Sequence, residues 1–152
     1  MPSFPEAPVR VTLLRLHELE FEPLGGALPE TNELPMELGL GVGEPQGGVL
    51  PVRLTVTVEA SPCYRVSVTY EGRFAHLRAV QGAEDETGFW RVVASRLAPT
   101  ILYPYIRETI TTVLQKAGLP PLAVPILNFG EVFDVEKVVF PESRVTATAG
   151  LS

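Results

Sequence analysis

Hydrophobic and polar residues alternate along much of the first half of the chain, a period that predicts β-strands. The clearest alternation covers Val52–Glu59, and a second, over Tyr64–Glu71, follows after the short connection Ala60–Cys63, so we predict a hairpin. The glycine-rich segment Met36–Gly43 alternates in the same way. Val9–Glu22 changes phase along its length, which predicts one long strand with bulges or two short strands. Together these segments predict a four-stranded antiparallel sheet.

Helical spacing replaces this alternation in the second half of the chain. After Gly82, apolar residues recur every three or four positions as far as Ala117, as expected for an α-helix. Pro99 and Pro104 interrupt the pattern, because the residue before a proline is biased away from α geometry. We therefore predict one long kinked helix or two short ones, with Gly118 placed as the C-cap.

The remainder of the chain is predicted to be mostly irregular. Leu119–Pro125 contains three prolines, which predicts a crossover loop. Asn128 followed by Glu131 is typical of a helix N-cap and predicts a short last helix. We expect residues 1–140 to form a single domain and residues 141–152 to form a flexible C-terminal tail. Strands followed by helices make the fold class α+β.

Composition excludes several classes of protein. Of 152 residues, 45% are hydrophobic and 20% are charged, so the chain is too apolar to be disordered throughout. The apolar runs are too short to span a bilayer, which needs about 20 residues. The formal charge is −6, from 12 basic and 18 acidic residues, without a Lys/Arg cluster. This balance argues against binding to nucleic acid or to an anionic membrane. A mean hydropathy of +0.19 still leaves an apolar surplus to explain.

The single cysteine, Cys63, cannot form an internal disulfide, and the N-terminal residues lack the pattern of a secretory signal. We therefore expect a reducing, cytoplasmic environment.

Few residues suggest catalytic or metal chemistry. His17 and His76 lack a second ligand at metal-binding spacing. The three glutamates in Glu18–Glu22 alternate along a predicted strand, which is more typical of a solvated or docking face than of acid–base catalysis. The glycine-rich segment Gly41–Gly48 lacks the Lys-Ser/Thr of a phosphate-binding loop. We predict that the protein is not an enzyme and uses no metal or cofactor.

One region resembles a known family. Within Pro99–Phe133, the segments Ile101–Glu108 (ILYPYIRE), Pro120–Leu122 and Asn128–Phe129 are similar in sequence and spacing to the helix, crossover loop and last helix of the SecB protein-export chaperones. Glu18–Glu22 resembles the family's acidic first strand more loosely. The resemblance covers most of the chain.

The resemblance implies a cytoplasmic holdase that acts without nucleotide and assembles as a homotetramer, a dimer of dimers. It would bind unfolded preproteins in apolar grooves and deliver them to the SecA motor. Glu18 and Glu22 match the family's SecA-docking positions. On the fourth strand, Arg65 and Ser67 stand where the family has an apolar and an acidic residue, which weakens attraction to a basic partner. A SecB-like chaperone dedicated to one partner, such as an antitoxin, is the alternative.

The apolar surplus also predicts where clients would bind, because a holdase needs apolar surface. A proline-broken loop cannot bury all of its apolar residues, and nearby aromatic residues would form groove walls. The predicted peptide-binding residues are Tyr64, Phe74, Leu119, Leu122, Val124, Phe129 and Phe133. For each of them, the alternative is an ordinary place in the core. A third possibility for the whole protein, from another functional class, is a small α+β domain that carries an apolar ligand.

Overall fold

The computed structural model describes residues 9–29, 34–76, 83–138 and 143–151. The strands are β1 (Val9–Pro23), β2 (Leu34–Val42), β3 (Val49–Ala60), β4 (Tyr64–His76) and β5 (Ser143–Leu151). The helical elements are α1 (Ala83–Val92), a π-helical turn (Val93–Leu97), α2 (Ala98–Lys116), α3 (Phe129–Val132) and a 3-10 turn (Val135–Lys137). This order confirms the α+β class.

The strands form one antiparallel sheet in the order β1-β4-β3-β2-β5. The predicted hairpin is present, since β3 and β4 pair from Ala60–Tyr64 to Val49–Ala75 without a shift. β1 is one strand with two irregularities in register, between Val11 and Leu13 and between Leu16 and Glu18. The change of phase in the β1 sequence therefore reflects these irregularities. Of the two predictions, one long strand with bulges is confirmed.

The C-terminal segment differs from the prediction. Residues 141–152 were expected to form a flexible tail, but Ser143–Leu151 is a strand that pairs with β2 from Val42–Ser143 to Leu34–Leu151. The tail prediction is wrong for these residues, and the sheet extends past the predicted boundary at residue 140. The sequence RVTATA does alternate, but its alanines have a low strand propensity. The pairing is explained by β2, which would otherwise present unpaired backbone groups.

The long helix is continuous but not regular. α1, the π-helical turn and α2 follow one another without a break, and the Ala98 N–H bonds to the Val93 carbonyl five residues back. The irregularity coincides with Pro99, which lacks an N–H for the usual i−4 bond. Gly118, at φ +72°, ends the helix, and the Leu119 N–H reaches the Leu114 carbonyl at 2.9 Å. The C-cap prediction is confirmed.

The core lies between one face of the sheet and this helix. Inward residues of β3 such as Val52, Leu54 and Val56 are fully buried, as is Leu102 of α2. Gly72 lies within β4. A Cβ at this position would come within 2.7 Å of Phe74 Cε2 and 3.0 Å of Leu102 Cδ2. Glycine is needed here because the helix packs so closely on the strand.

The last helix is short. The Asn128 side chain accepts a hydrogen bond from the Gly130 N–H at 3.0 Å, which confirms the predicted N-cap. α3 covers only one turn before Asp134 caps the 3-10 turn by accepting from the Glu136 N–H. Within the ranges given above, no helix has the length and apolarity that crossing a bilayer would require.

Candidate functional site

The crossover loop is held to α2 by one buried tyrosine. The Tyr103 hydroxyl donates to the Pro125 carbonyl at 2.6 Å, and its ring meets Phe129 edge to face with 5.3 Å between centroids. Phe129 in turn stacks on Phe133 at 6.0 Å. Burial raises the pKa of Tyr103 to about 12, although the Arg107 guanidinium over its ring opposes this. The phenol therefore remains a hydrogen-bond donor at neutral pH, and the loop is tethered at Pro125.

The structure divides the predicted peptide-binding residues into two groups. The buried group is Tyr64, Phe74, Val124, Phe129 and Phe133, and the half-buried group is Leu119 and Leu122. The five buried residues belong to the hydrophobic core of the single chain, so they lie beneath the protein surface. Their contact with a client, like that of the two leucines, stays a prediction.

Two exposed apolar residues near these positions were missed by the sequence analysis. Ile126 is 86% exposed, immediately after the tethered Pro125. Tyr105 is partly exposed on α2, where its ring packs against Tyr70 of β4 at 5.9 Å. The signal for Ile126 was present, since it directly follows the proline-rich segment Leu119–Pro125. The loop thus presents an apolar side chain to solvent from a fixed attachment point.

A cavity of about 340 Å³ lies beside α3. Its lining residues are Arg96, Gly130, Glu131, Val132, Phe133, Asp134, Val135 and Lys137. Charged groups of both signs therefore surround Phe133 at this point.

β1 forms one edge of the sheet and is mostly exposed. The predicted docking residues Glu18 and Glu22 are both exposed, and in register they lie beside Thr69 and Arg65 of β4. The two glutamates therefore lie on the same face of the sheet as Arg65, the residue that differs from the family pattern. Arg65 Nε also lies 3.2 Å from Glu59 Oε2, so its charge is partly neutralised by β3.

A buried carboxylate lies further along the same face. The Glu71 side chain is 5% exposed, and its Oε2 accepts from Arg15 Nη2 at 3.0 Å and Nε at 3.2 Å. Guanidinium nitrogens of Arg53 and Arg73 lie at 3.9 Å, and His17 Nδ1 lies at 3.8 Å. Burial alone would raise the Glu71 pKa, but the Arg15 hydrogen bond and the three guanidinium charges outweigh it and lower the pKa below 4.5. The cluster pins β1 to β4 and β3.

The described ranges contain no group of three or more His, Cys, Asp or Glu side chains arranged to hold a metal ion. His17 lies against Glu71, and His76 lies between aromatic rings, 5.6 Å from Trp90 and 6.3 Å from Phe89. The two histidines therefore have separate surroundings.

Known proteins share this fold. The Mycobacterium tuberculosis Rv1957 SecB-like chaperone, in a structure with a ChAD peptide from the Rv1956 HigA1 antitoxin, superposes with a TM-score of 0.60. The match covers 80% of this chain and 88% of that one at 18% identity. The fold is therefore that of the SecB-like chaperones.

Sequence comparison gives the family. A family model described as preprotein translocase subunit SecB matches residues 27–138. The protein-export protein SecB of Cellvibrio japonicus is 31% identical over 122 residues, which cover 78% of this chain and 72% of the relative. That of Methylococcus capsulatus is 28% identical over 138 residues, covering 85% and 84%. The chain belongs to the SecB family of protein-export chaperones.

Proposed function

We propose that this protein is an ATP-independent holdase of the cytoplasm that binds unfolded preproteins and delivers them to the SecA motor. The observation that carries the proposal is the exposure of Ile126 immediately after Pro125, where the crossover loop is fixed to α2. A side chain this large and apolar, exposed beside further apolar groups, is typical of an interaction site. Family membership supports an unfolded polypeptide as the client, since the matching family model is described as preprotein translocase subunit SecB.

The tethered loop suits binding without sequence preference. The Tyr103–Pro125 hydrogen bond fixes the loop before Ile126, so little conformational entropy is lost when a client docks there. Leu119 and Leu122 are half-buried in the same segment and extend the apolar surface. We assign initial client contact to these three residues, with the buried aromatic residues beneath them as support.

This contact can be tested by replacing Ile126 with aspartate. Burying an isoleucine side chain is worth about 1.5–3 kcal/mol, so Ile126→Asp should weaken binding of a reduced, unfolded client at least tenfold. The measurement is suppression of client aggregation at stoichiometric concentrations. Leu28→Asp, a change at another exposed apolar residue outside the loop, is the matched control and should have little effect. Wild-type protein that leaves aggregation unchanged would contradict the holdase function.

For delivery to SecA we propose that Glu18 and Glu22 form the docking face. Both carboxylates are exposed on β1, and the Arg65–Glu59 ion pair reduces the positive charge that would repel a basic partner. The double change Glu18→Ala with Glu22→Ala should weaken SecA binding, measured by calorimetry, while suppression of client aggregation persists. Equal loss of both activities would show that these residues do not form a separate docking site.

For assembly we propose a homotetramer, a dimer of dimers, in which the β1 edge pairs with a second copy. Val11, Leu16 and Leu19 on this edge are each about 40% exposed. Arg15 and Glu18 lie on the opposite face of β1, on either side of the second bulge. In an antiparallel pair of two β1 strands related by twofold symmetry, Arg15 of one copy would therefore lie near Glu18 of the other, so opposite charges would meet. Size measurement in solution tests this proposal, and a strict monomer would contradict it.

A dedicated partner is the second candidate function. Arg65 and Ser67 depart from the family's usual docking face, and the Mycobacterium tuberculosis neighbour is described with an antitoxin peptide. Under this alternative, holdase activity persists but SecA binding is absent in the unaltered protein. The ligand-carrier alternative is less well supported, because the cavity beside α3 is lined by Arg96, Glu131, Asp134 and Lys137, which do not suit an apolar ligand.

A further inference from the structure

β5 is attached to the fold through one edge of the sheet. Its nine residues pair with β2, and among the described strands β2 is its only neighbour in the sheet. The register continues from Val42–Ser143 to Leu34–Leu151 without a shift. Backbone hydrogen bonds of such a ladder are independent of side-chain identity, so another extended segment could make them equally well.

The β2 edge is built to accept an added strand. Between Leu38 and Val42 it carries no charge and no proline, and its pairing with β5 has no bulge. Charges and bulges are the usual means of protecting an edge, and both are present in β1 at the opposite side of the sheet. Gly39 and Gly41 also leave room, since a Cβ at either position would come no closer than 3.7 Å to β3. Pro35 and Glu37 protect the other half of β2, whereas Leu38–Val42 is covered by β5 alone among the described strands.

We propose that the β2 edge is a binding site for an extended segment of a client polypeptide, and that β5 is its resident occupant, displaced when a client binds. This inference rests on the proposed holdase function. The client strand would add to the sheet through its backbone, with apolar residues at alternate positions. Recognition of this kind depends on extended conformation and alternation more than on sequence.

β5 would compete with a client strand for the β2 edge. Its sequence pairs weakly, but its attachment to the core keeps it close to that edge. Ala147, Ala149 and Gly150 have low strand propensity, so a client rich in valine, isoleucine or tyrosine would pair more strongly. β5 is tethered to the core close by, since Val138 is buried and its carbonyl accepts from Arg91 Nε at 3.0 Å. A short tether gives an effective concentration in the mM range. Displacement therefore favours long, apolar unfolded segments over short polar ones.

Amide hydrogen exchange on the unaltered full chain tests the proposal. The probe is reduced, carboxymethylated α-lactalbumin, a permanently unfolded chain, added to saturation. We expect exchange in Ser143–Leu151 to accelerate at least tenfold while Leu34–Val42 stays protected. If the client binds and suppresses aggregation but β5 remains protected, the inference is overturned and the holdase function stands. A β5 that is unprotected in the free protein also overturns it, whereas absence of any client binding overturns the holdase function itself.

A variant of the full chain gives an independent measurement. Thr146→Pro with Ala147→Pro removes two successive N–H groups, one of which must face β2, and so weakens β5 pairing. Client affinity, measured by fluorescence anisotropy of the labelled probe, should tighten at least tenfold, and a synthetic peptide of residues 143–151 should compete for the freed edge. Thr146→Ser with Ala147→Ser is the control and should keep wild-type affinity. Unchanged client affinity in the proline variant contradicts the proposal. If that variant aggregates, the hydrogen-exchange experiment on the unaltered chain tests the proposal instead.

Discussion

The hydrogen bond between Tyr103 and the crossover loop provides a sharp test of how the loop is held. Tyr103→Phe removes only the hydroxyl that donates to the Pro125 carbonyl at 2.6 Å. The edge-to-face contact with Phe129 is kept, because the phenyl ring is unchanged. The perturbation therefore separates the polar tether from the aromatic packing.

The expected cost follows from the surroundings of this bond. A neutral hydrogen bond contributes about 0.5–1.5 kcal/mol net, and a carbonyl left without a partner adds to the loss when it is shielded from water. Pro125 is only half-buried, so water can partly replace the phenol. We expect the free energy of unfolding to fall by about 1–1.5 kcal/mol, which corresponds to a decrease of about 2–6 °C in Tm for a domain of this size.

Urea unfolding followed by tryptophan fluorescence measures this loss. Trp90 is the only tryptophan and is 1% exposed, so its emission reports unfolding of the core. Tyr105→Phe is the matched control, since this tyrosine is on the same helix but partly exposed, and it should cost less than about 0.5 kcal/mol. Equal stability of Tyr103→Phe and wild type would refute the role of the tether.

The pH profile gives a second measurement of the same interaction. The folded-state pKa of Tyr103 is raised from 10 to about 12, so its stabilising contribution is complete below pH 10 and is lost as the pH rises towards 12. Wild type should therefore lose its advantage over Tyr103→Phe across this window. A difference between the two proteins that stays constant from pH 9 to 12 would contradict the assignment.

Two further predictions concern the sheet. Gly72→Ala should destabilise the protein by about 1–3 kcal/mol, measured by urea unfolding, because the new methyl would meet Phe74 and Leu102; a neutral effect would contradict the close packing. Glu71→Gln should cost about 1–3 kcal/mol near neutral pH, because it removes the charge that Arg15 contacts. Since the folded-state pKa of Glu71 is lowered, this advantage is present above about pH 4.5 and disappears as the pH falls through the folded value, so curves for wild type and variant should converge in acid.

Regular elements with a strong period could be predicted from the sequence. The alternation in Val52–Glu59 and Tyr64–Glu71 predicted β3 and β4 because one face of each strand is almost entirely buried. The phase change in β1 also had a structural counterpart, since a bulge moves the following residues to the other face. β5 was missed because alanine and glycine give a weak signal, and its pairing depends on the β2 edge rather than on its own composition.

The candidate site was less accessible to sequence reasoning. Phe129 and Phe133 are apolar, and the sequence contains nothing that distinguishes a groove wall from a core residue of the same type. The Glu71 cluster was invisible for another reason. Arg15 and Arg53 lie far from Glu71 along the chain, and they meet it only because the register of three strands brings them together.

The π-helical turn at Val93–Leu97 holds one residue more than a regular α-helix would need for the same rotation about its axis. The buried side chains Trp90, Ala94 and Ala98 recur every fourth residue, a spacing that would drift around a regular helix of 3.6 residues per turn. The wider turn corrects this drift. Deleting one residue within the turn and restoring α geometry would therefore leave α1 in nearly the same rotation relative to α2, whereas deleting one residue from the regular part of α2 would rotate α1 by about 100°. The turn is thus the position at which this helix should tolerate a loss of one residue in length.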